Sequence, residues 1–162
     1  RSPELAEITE KLSLDDIAFL NTAIPFHRIP EHRILVVHGG IPGDMRWFPK
    51  TVEEVAKLTG KQRKRFQLIM RTRYLRPNGR FVAFGEETET DPFWAEVYDG
   101  RFGHVVFGHQ PFMNGVGRFP HATGVDTGAV FGGQLTALRI TKSDERSFVS
   151  VPSRKCAEPL SC

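Results

Sequence analysis

His38 and His109 close two short apolar runs in the same manner. His38 follows Ile34–Val37 and precedes Gly39-Gly40; His109 ends "HVVFGH", with Gly108 before it and Pro111 behind. An imidazole on a strand end is pre-oriented, as a metal ligand or a general base must be. A neighbouring glycine allows a positive φ or close backbone approach. Either histidine alone is more often a buried or turn residue, whereas a matched pair raises the prospect of a site. Two imidazoles are not a full ligand set, because hard divalent ions also want carboxylates. Asp44, Asp99 and Asp126 are available, yet none follows an apolar strand with a second acid or histidine two residues on. By residue chemistry alone the metal site is incomplete, and satisfied core histidines stay open as the other reading.

Elements with their own local signals must position this pair. "SLDDIAFLNTAI" carries a capping box, Ser13 to Asp16, with Ile17, Leu20 and Ile24 at helical spacing. The continuous run Ile34–Val37 predicts a strand buried on both faces. "TVEEVAKLTG" predicts a helix capped by Thr51 with Glu54 and stopping at Gly60. "KQRKRFQLIMRTRYL" predicts a third helix with Phe66, Ile69 and Met70 inward. Residues 77–90 read as a polar loop holding a short strand, "RFVAFG". "DPFWAEVYDG" predicts a helix with Asp91 as N-cap, Pro92 at its first position and Asp99-Gly100 as its stop. "HVVFGHQP" is the next strand, and "ATGVDTGAVFGGQLTALRI" with "SFVSVP" reads as a β-meander. The order predicts a mixed α/β (α+β) fold with an antiparallel finish. Residues 1–152 form part of one domain and 153–162 a tail. Sites in such sheets lie at the carboxyl ends of strands, where both histidines stand.

The 162 residues suffice for one domain with a core, not comfortably for two. No apolar run approaches the ~20 residues of a membrane helix. The net charge is +3 and the pI about 9.1, with the bases gathered in residues 61–76. Such a cluster more often forms a solvated helix face than a nucleic-acid surface, and stacking aromatics are not interleaved here. No specific nucleic acid is expected as a partner. Cys156 and Cys162 make neither a disulfide framework nor a zinc spacing. The lack of cysteine elsewhere agrees with a reducing compartment, and a cytoplasmic location is the default.

"VVHGGIP", "MRTRYL", "FWAEVYDGRFGHVVFGHQP" and "GVDTGAVFGGQLTAL" resemble the C-terminal half of calcineurin-like metallophosphoesterases. The resemblance is to the branch of bacterial-type serine/threonine phosphatases and diadenosine tetraphosphatases, and covers roughly residues 14–141. Three motifs stand in the family's order: the "HGG" strand end, the "GH-x-P" strand end and the "DTG" hairpin. The resemblance implies a β-sandwich flanked by helices and two divalent ions, Mn, Fe or Zn. It implies that His38 and His109 ligate the second ion, and that a metal-bound hydroxide attacks phosphorus. Gly108 would then let the backbone turn tightly, with Pro111 stiffening the exit. "MRTRYL" matches the segment with a phosphate-clamping arginine, Arg73 first and Arg71 second. Asp126 of "DTG" is implied to shape the hairpin, and His104 to lie buried or behind the site. The substrate would be a phosphoprotein or a dinucleoside polyphosphate, with no membrane partner.

The family's earlier motifs, "GD-x-HG", "GD-x-x-DRG" and "GNH" followed by an acid, do not occur. With no starting Met, an N-terminally truncated phosphatase is the simplest expectation, and the chain alone should bind metal poorly and turn over slowly. A non-catalytic descendant that binds a partner or nucleotide is the alternative.

Overall fold

Ile34–Val37 form β2, an interior strand of the larger sheet in the computed structural model, which describes residues 3–154. Ile34, Leu35 and Val37 are buried, as the continuous apolar run requires. On one side β2 pairs antiparallel with β1 (Phe26–Ile29). On the other it pairs parallel with β3 (His104–Phe107), Val37 lying opposite Phe107. The sheet continues through β5 (Ala122–Gly124) to β4 (Gly117–Phe119), giving the order β1-β2-β3-β5-β4. The parallel register of β2 and β3 sends His38 and His109 off the same edge.

A second sheet is the expected antiparallel meander: β6 (Asp126–Thr127), β7 (Gln134–Ile140) and β8 (Arg146–Pro152). The segment "ATG" does not belong to it. Ala122–Gly124 pairs parallel with β3 instead. A side chain at Gly124 would strike the Phe112 ring and lie 3.1 Å from Phe107, so only a small residue fits under these aromatics.

The helices precede and interrupt the sheets: α1 (Pro3–Lys11), α2 (Leu14–Leu20), α3 (Val52–Ala56), α4 (Gly60–Gln67) and α5 (Trp94–Val97). The capping box of α2 forms as expected, Ser13 Oγ accepting from the Asp16 N–H and Asp16 Oδ2 from the Ser13 N–H. Ile17 and Leu20 stand at helical spacing as expected, and no residue of α2 is buried.

Three helix boundaries differ from expectation, two of them through a captured polar group. The third helix was expected to run through Leu75, but α4 ends at Gln67 and a single tight turn, Leu68–Met70, comes after it. Continuation would need the Ile69 carbonyl for the Arg73 N–H. That carbonyl accepts instead from the Gly39 and Gly40 N–H groups, at 2.9 and 3.0 Å. The Leu68 carbonyl takes the Thr72 N–H and hydroxyl, so residues 71–75 run on outside any helix. Gly60 does not stop α3. With φ +51 it opens α4, and α3 ends at Ala56 as Leu58 turns into the core. Asp91 caps no helix. Its Oδ2 accepts from the Thr88 N–H and hydroxyl and from Arg76, while Phe93 takes the N-cap position of the four-residue α5. The short strand "RFVAFG" is reduced to one bridge, Phe81 to Leu75. The expected tail lies outside the described residues except for Ser153 and Arg154.

The core joins β2 and β3 to Trp94, Phe93, Ile69 and Leu75, with Trp94 and Phe107 in edge contact at 4.8 Å. This aromatic cluster lies directly beneath the two strand ends that matter.

Candidate metal centre

The His38 and His109 rings meet, Nε2 of the first standing 3.1 Å from Nδ1 of the second. Imidazole nitrogens bind divalent ions at about 2.0–2.1 Å, so two of them on one ion would stand roughly 3–3.4 Å apart. The pair therefore fits as two ligands of a single divalent ion. Among the described residues no group of three or more His, Cys, Asp or Glu side chains converges on such a position. The described chain brings two imidazoles together rather than building a closed cage.

The two strand ends hold their imidazoles differently. Gly39 and Gly40 are buried after an exposed His38. A Cβ at Gly39 would lie 2.8 Å from the Ile69 carbonyl oxygen, and one at Gly40 would enter the Trp94 indole. The loop can dock on Ile69 and Trp94 only with hydrogens at these positions. Gly108 is not the tight turn it was expected to be. It lies outside the left-handed region, and a Cβ there would meet nothing closer than 3.7 Å. The turn is made by His109 itself, with φ +68 and the Gln110 N–H donating to the Gly108 carbonyl at 2.8 Å. A non-glycine residue in such a three-residue turn is strained. Two contacts hold it: Arg73 donates to the His109 carbonyl at 3.0 Å, and the Gly108 N–H donates to the His38 carbonyl at 3.0 Å. The second bond couples the two loops directly.

Burial lowers the His109 pKa, helped by the Arg73 charge and by His38 and opposed by Asp126. The imidazole is held below its ordinary value, so its lone pair stays available at neutral pH, as a metal ligand needs. Asp126 is engaged in its own turn, Oδ1 accepting from the Gly128 N–H and its carbonyl from the Phe112 N–H. His104 lies at the other end of β3, half-buried, with Nε2 2.8 Å from the Thr123 hydroxyl.

Arg71 and Arg73 leave the helix expected for them and sit two apart in the stretch after Met70. With His109 they line one cavity of about 470 Å³. Arg73 is half-buried, and its Nε is buried without a partner. Its guanidinium carbon lies 5.1 Å from the Phe84 ring centre, and that of Arg71 lies 5.9 Å from Phe81. The geometry thus brings together all four residues singled out from sequence. It adds Trp94, Ile69, Phe81 and Phe84, which sequence reasoning assigned to helices or a strand. Nothing local marks a carbonyl or an indole as the seat of a glycine loop; only the pairing of distant segments does.

No protein-family profile matches the chain. Over 94% of its length it is 32% identical to a bis(5'-nucleosyl)-tetraphosphatase PrpE (asymmetrical) of Halalkalibacterium halodurans, spanning 54% of that protein. Over 79% of its length it is 36% identical to the protein of the same name from Bacillus thuringiensis, spanning 43% of it. The chain therefore spans about half the length of the curated relatives it matches. A crystal structure provisionally named a diadenosine tetraphosphatase superposes with a TM-score of 0.66, at 23% identity, over 93% of this chain and 60% of that one. That last likeness is one of fold, and it agrees with the two sheets and flanking helices described above. By sequence the chain resembles bis(5'-nucleosyl)-tetraphosphatases over about half of their length, and by fold it resembles a structure provisionally given a like name.

Proposed function

We propose that this chain is the His38- and His109-bearing part of a metal-dependent phosphoesterase that hydrolyses dinucleoside polyphosphates. The observation that carries the reading is the 3.1 Å approach of the two ring nitrogens beside the Arg73 guanidinium. Residues 1–152 are the C-terminal part of one metallophosphoesterase domain, which in complete form holds two divalent ions, Mn, Fe or Zn. His38 and His109 hold one of them. Divalent ions supply Lewis acidity toward a phosphoryl group and lower the pKa of water. The remaining work belongs to side chains. Arg73, fixed by its bond to the His109 carbonyl, lines the cavity with a planar, always-charged guanidinium, which suits the binding of a phosphoryl oxygen. Arg71 adds charge from the open side of the same cavity. The Gly108–His38 backbone bond keeps both imidazoles at one spacing while phosphate enters.

No nucleic acid is assigned to the basic stretch 61–76: Arg65 is paired with Asp44, and Arg73 and Arg76 with the His109 carbonyl and Asp91. Among the described residues no helix is long and apolar enough to cross a membrane.

The test is a Mn²⁺ titration watched through the histidine ring resonances. Selective broadening of His38 and His109, lost together in His109→Ala, is expected. Equal broadening of all six histidines would overturn the assignment. Binding should be weak, and hydrolysis of diadenosine tetraphosphate slow, because the described residues supply two ligands only. That same shortage favours the second reading, a scaffold that binds a nucleotide or partner without turnover. Efficient Mn²⁺-dependent turnover, abolished by His109→Ala, would exclude it.

A further inference from the structure

The cavity beside His109 has a second chemistry that phosphate alone does not use. Its walls are Arg71, Arg73, Tyr74, Phe81, Phe84 and Glu87 around His109, with Val82 and Ala83 between. Phe84 is 83% exposed, although it is a large apolar ring next to a cavity. It is nevertheless oriented, because the Arg73 guanidinium lies 5.1 Å from its ring centre. Its loop is held as well: Gly85, with φ +84, donates its N–H to the Glu87 carboxylate at 2.6 Å. A held but uncovered aromatic ring, with Arg73 against it and Arg71 on the same cavity wall, is a stacking platform for a planar π system. The volume of about 470 Å³ is within the roughly 300–1,000 Å³ range of small-molecule sites. Arg73 belongs to both halves, touching the His109 carbonyl on one side and Phe84 on the other. A ligand that used both halves would join a planar group covalently to a phosphoryl.

We propose that this cavity is a nucleoside subsite in which Phe84 stacks on a purine base while Arg73 and Arg71 take the attached phosphate. The assignment rests on the phosphoesterase reading and adds where its substrate's base lies. Phe84 then sets specificity for nucleosidyl over simple phosphates. It is a positioning residue for binding, not part of the reacting centre.

The full chain is titrated with AMP, ribose 5-phosphate and inorganic phosphate, and shifts of backbone amides 81–87 are followed by NMR. AMP should bind roughly tenfold more tightly than ribose 5-phosphate, the size expected of one base–aromatic stack. In Phe84→Ala that ratio should fall to about one. Phe84→Trp should restore the ratio, which a merely structural role would not predict. An equal affinity for AMP and ribose 5-phosphate, or a ratio unmoved by Phe84→Ala, would overturn the subsite. Mn²⁺ broadening at His38 and His109 separates the two failures. If it persists while AMP shows no preference, the subsite alone falls; if it is absent too, the phosphoesterase reading falls with it.

Discussion

The ends of β2 and β3 deliver matching imidazoles by opposite devices. After β2 the backbone is unstrained at His38 and the demand falls on Gly39 and Gly40, which fit against Ile69 and Trp94. After β3 the adjoining glycine has room to spare, and His109 itself takes the left-handed conformation. One end is fixed by packing that excludes side chains. The other is fixed by hydrogen bonds that hold a costly turn. The same dipeptide letters, read in opposite order, thus carry different physics.

The largest effect should come from Gly40→Ala. The new methyl enters the indole of Trp94, which is 1% exposed and packed against Tyr98 and Phe107. Overpacking of this kind costs about 1–3 kcal/mol, occasionally more. For a domain of this size that lowers the midpoint of thermal unfolding by roughly 3–10 °C. Calorimetry checks it. A midpoint within a degree of the parent would mean that the β2 end is not packed as described.

The next comparison pits alanine against glycine at each histidine. At His109 glycine relieves the left-handed φ, so His109→Gly should be about 1 kcal/mol more stable than His109→Ala. At His38 no such gain exists, and His38→Gly should be no more stable than His38→Ala. Denaturant unfolding of the four variants measures both differences. Equal differences at the two positions would erase the contrast between the strand ends.

How much of this was legible beforehand depended on how local its cause is. The capping box of α2 and the strands Ile34–Val37 and His104–Phe107 are set by adjacent residues and formed where expected. The end of α4 was not legible, because the Ile69 carbonyl is claimed by glycines about thirty residues earlier in the chain. Asp91 looked like a cap until Arg76 and Thr88 claimed its carboxylate. Ala122–Gly124 looked like part of the meander, and its place beside β3 is set by Phe112 and Phe107. For the site, histidine spacing marked the two strand ends, and the motif resemblance brought in the arginines. The strained partner could not be told from the unstrained one, because a φ of +68 leaves no mark in the letters "GH".

β3 offers an internal control, since it also begins with a histidine. His104 has its pKa lowered, first by burial, then by Arg146 and His121, against Asp144, which itself pairs with His32. A histidine whose folded pKa lies below its unfolded value of about 6.5 resists protonation in the fold. Its contribution to stability is complete above that value and is lost as the pH falls toward the folded pKa. His104→Gln keeps a polar partner for Thr123 and removes the titration. Its unfolding free energy should fall less steeply than the parent's as pH drops below about 6.5. Identical slopes would show that His104 does not titrate with folding.

Gly108→Ala should do least, and that makes it a sharp test of the contrast. Glycine conformational entropy alone favours alanine in the folded chain by about 0.4–1 kcal/mol wherever the conformation suits it. Gly108 lies outside the left-handed region, and a methyl there would find the His38 carbonyl at 3.7 Å and the Asp126 Cβ at 3.8 Å, ordinary contacts. Its N–H still reaches the His38 carbonyl, because alanine keeps the donor. Stability should therefore be unchanged or slightly raised, and Mn²⁺ should broaden the same two histidine rings. A loss above about 1 kcal/mol, well beyond the usual range for a tolerated site, would restore Gly108 as the hinge of the strand end. His109 would then be a passenger in a turn made by its neighbour, and the two ends of the sheet would work alike after all.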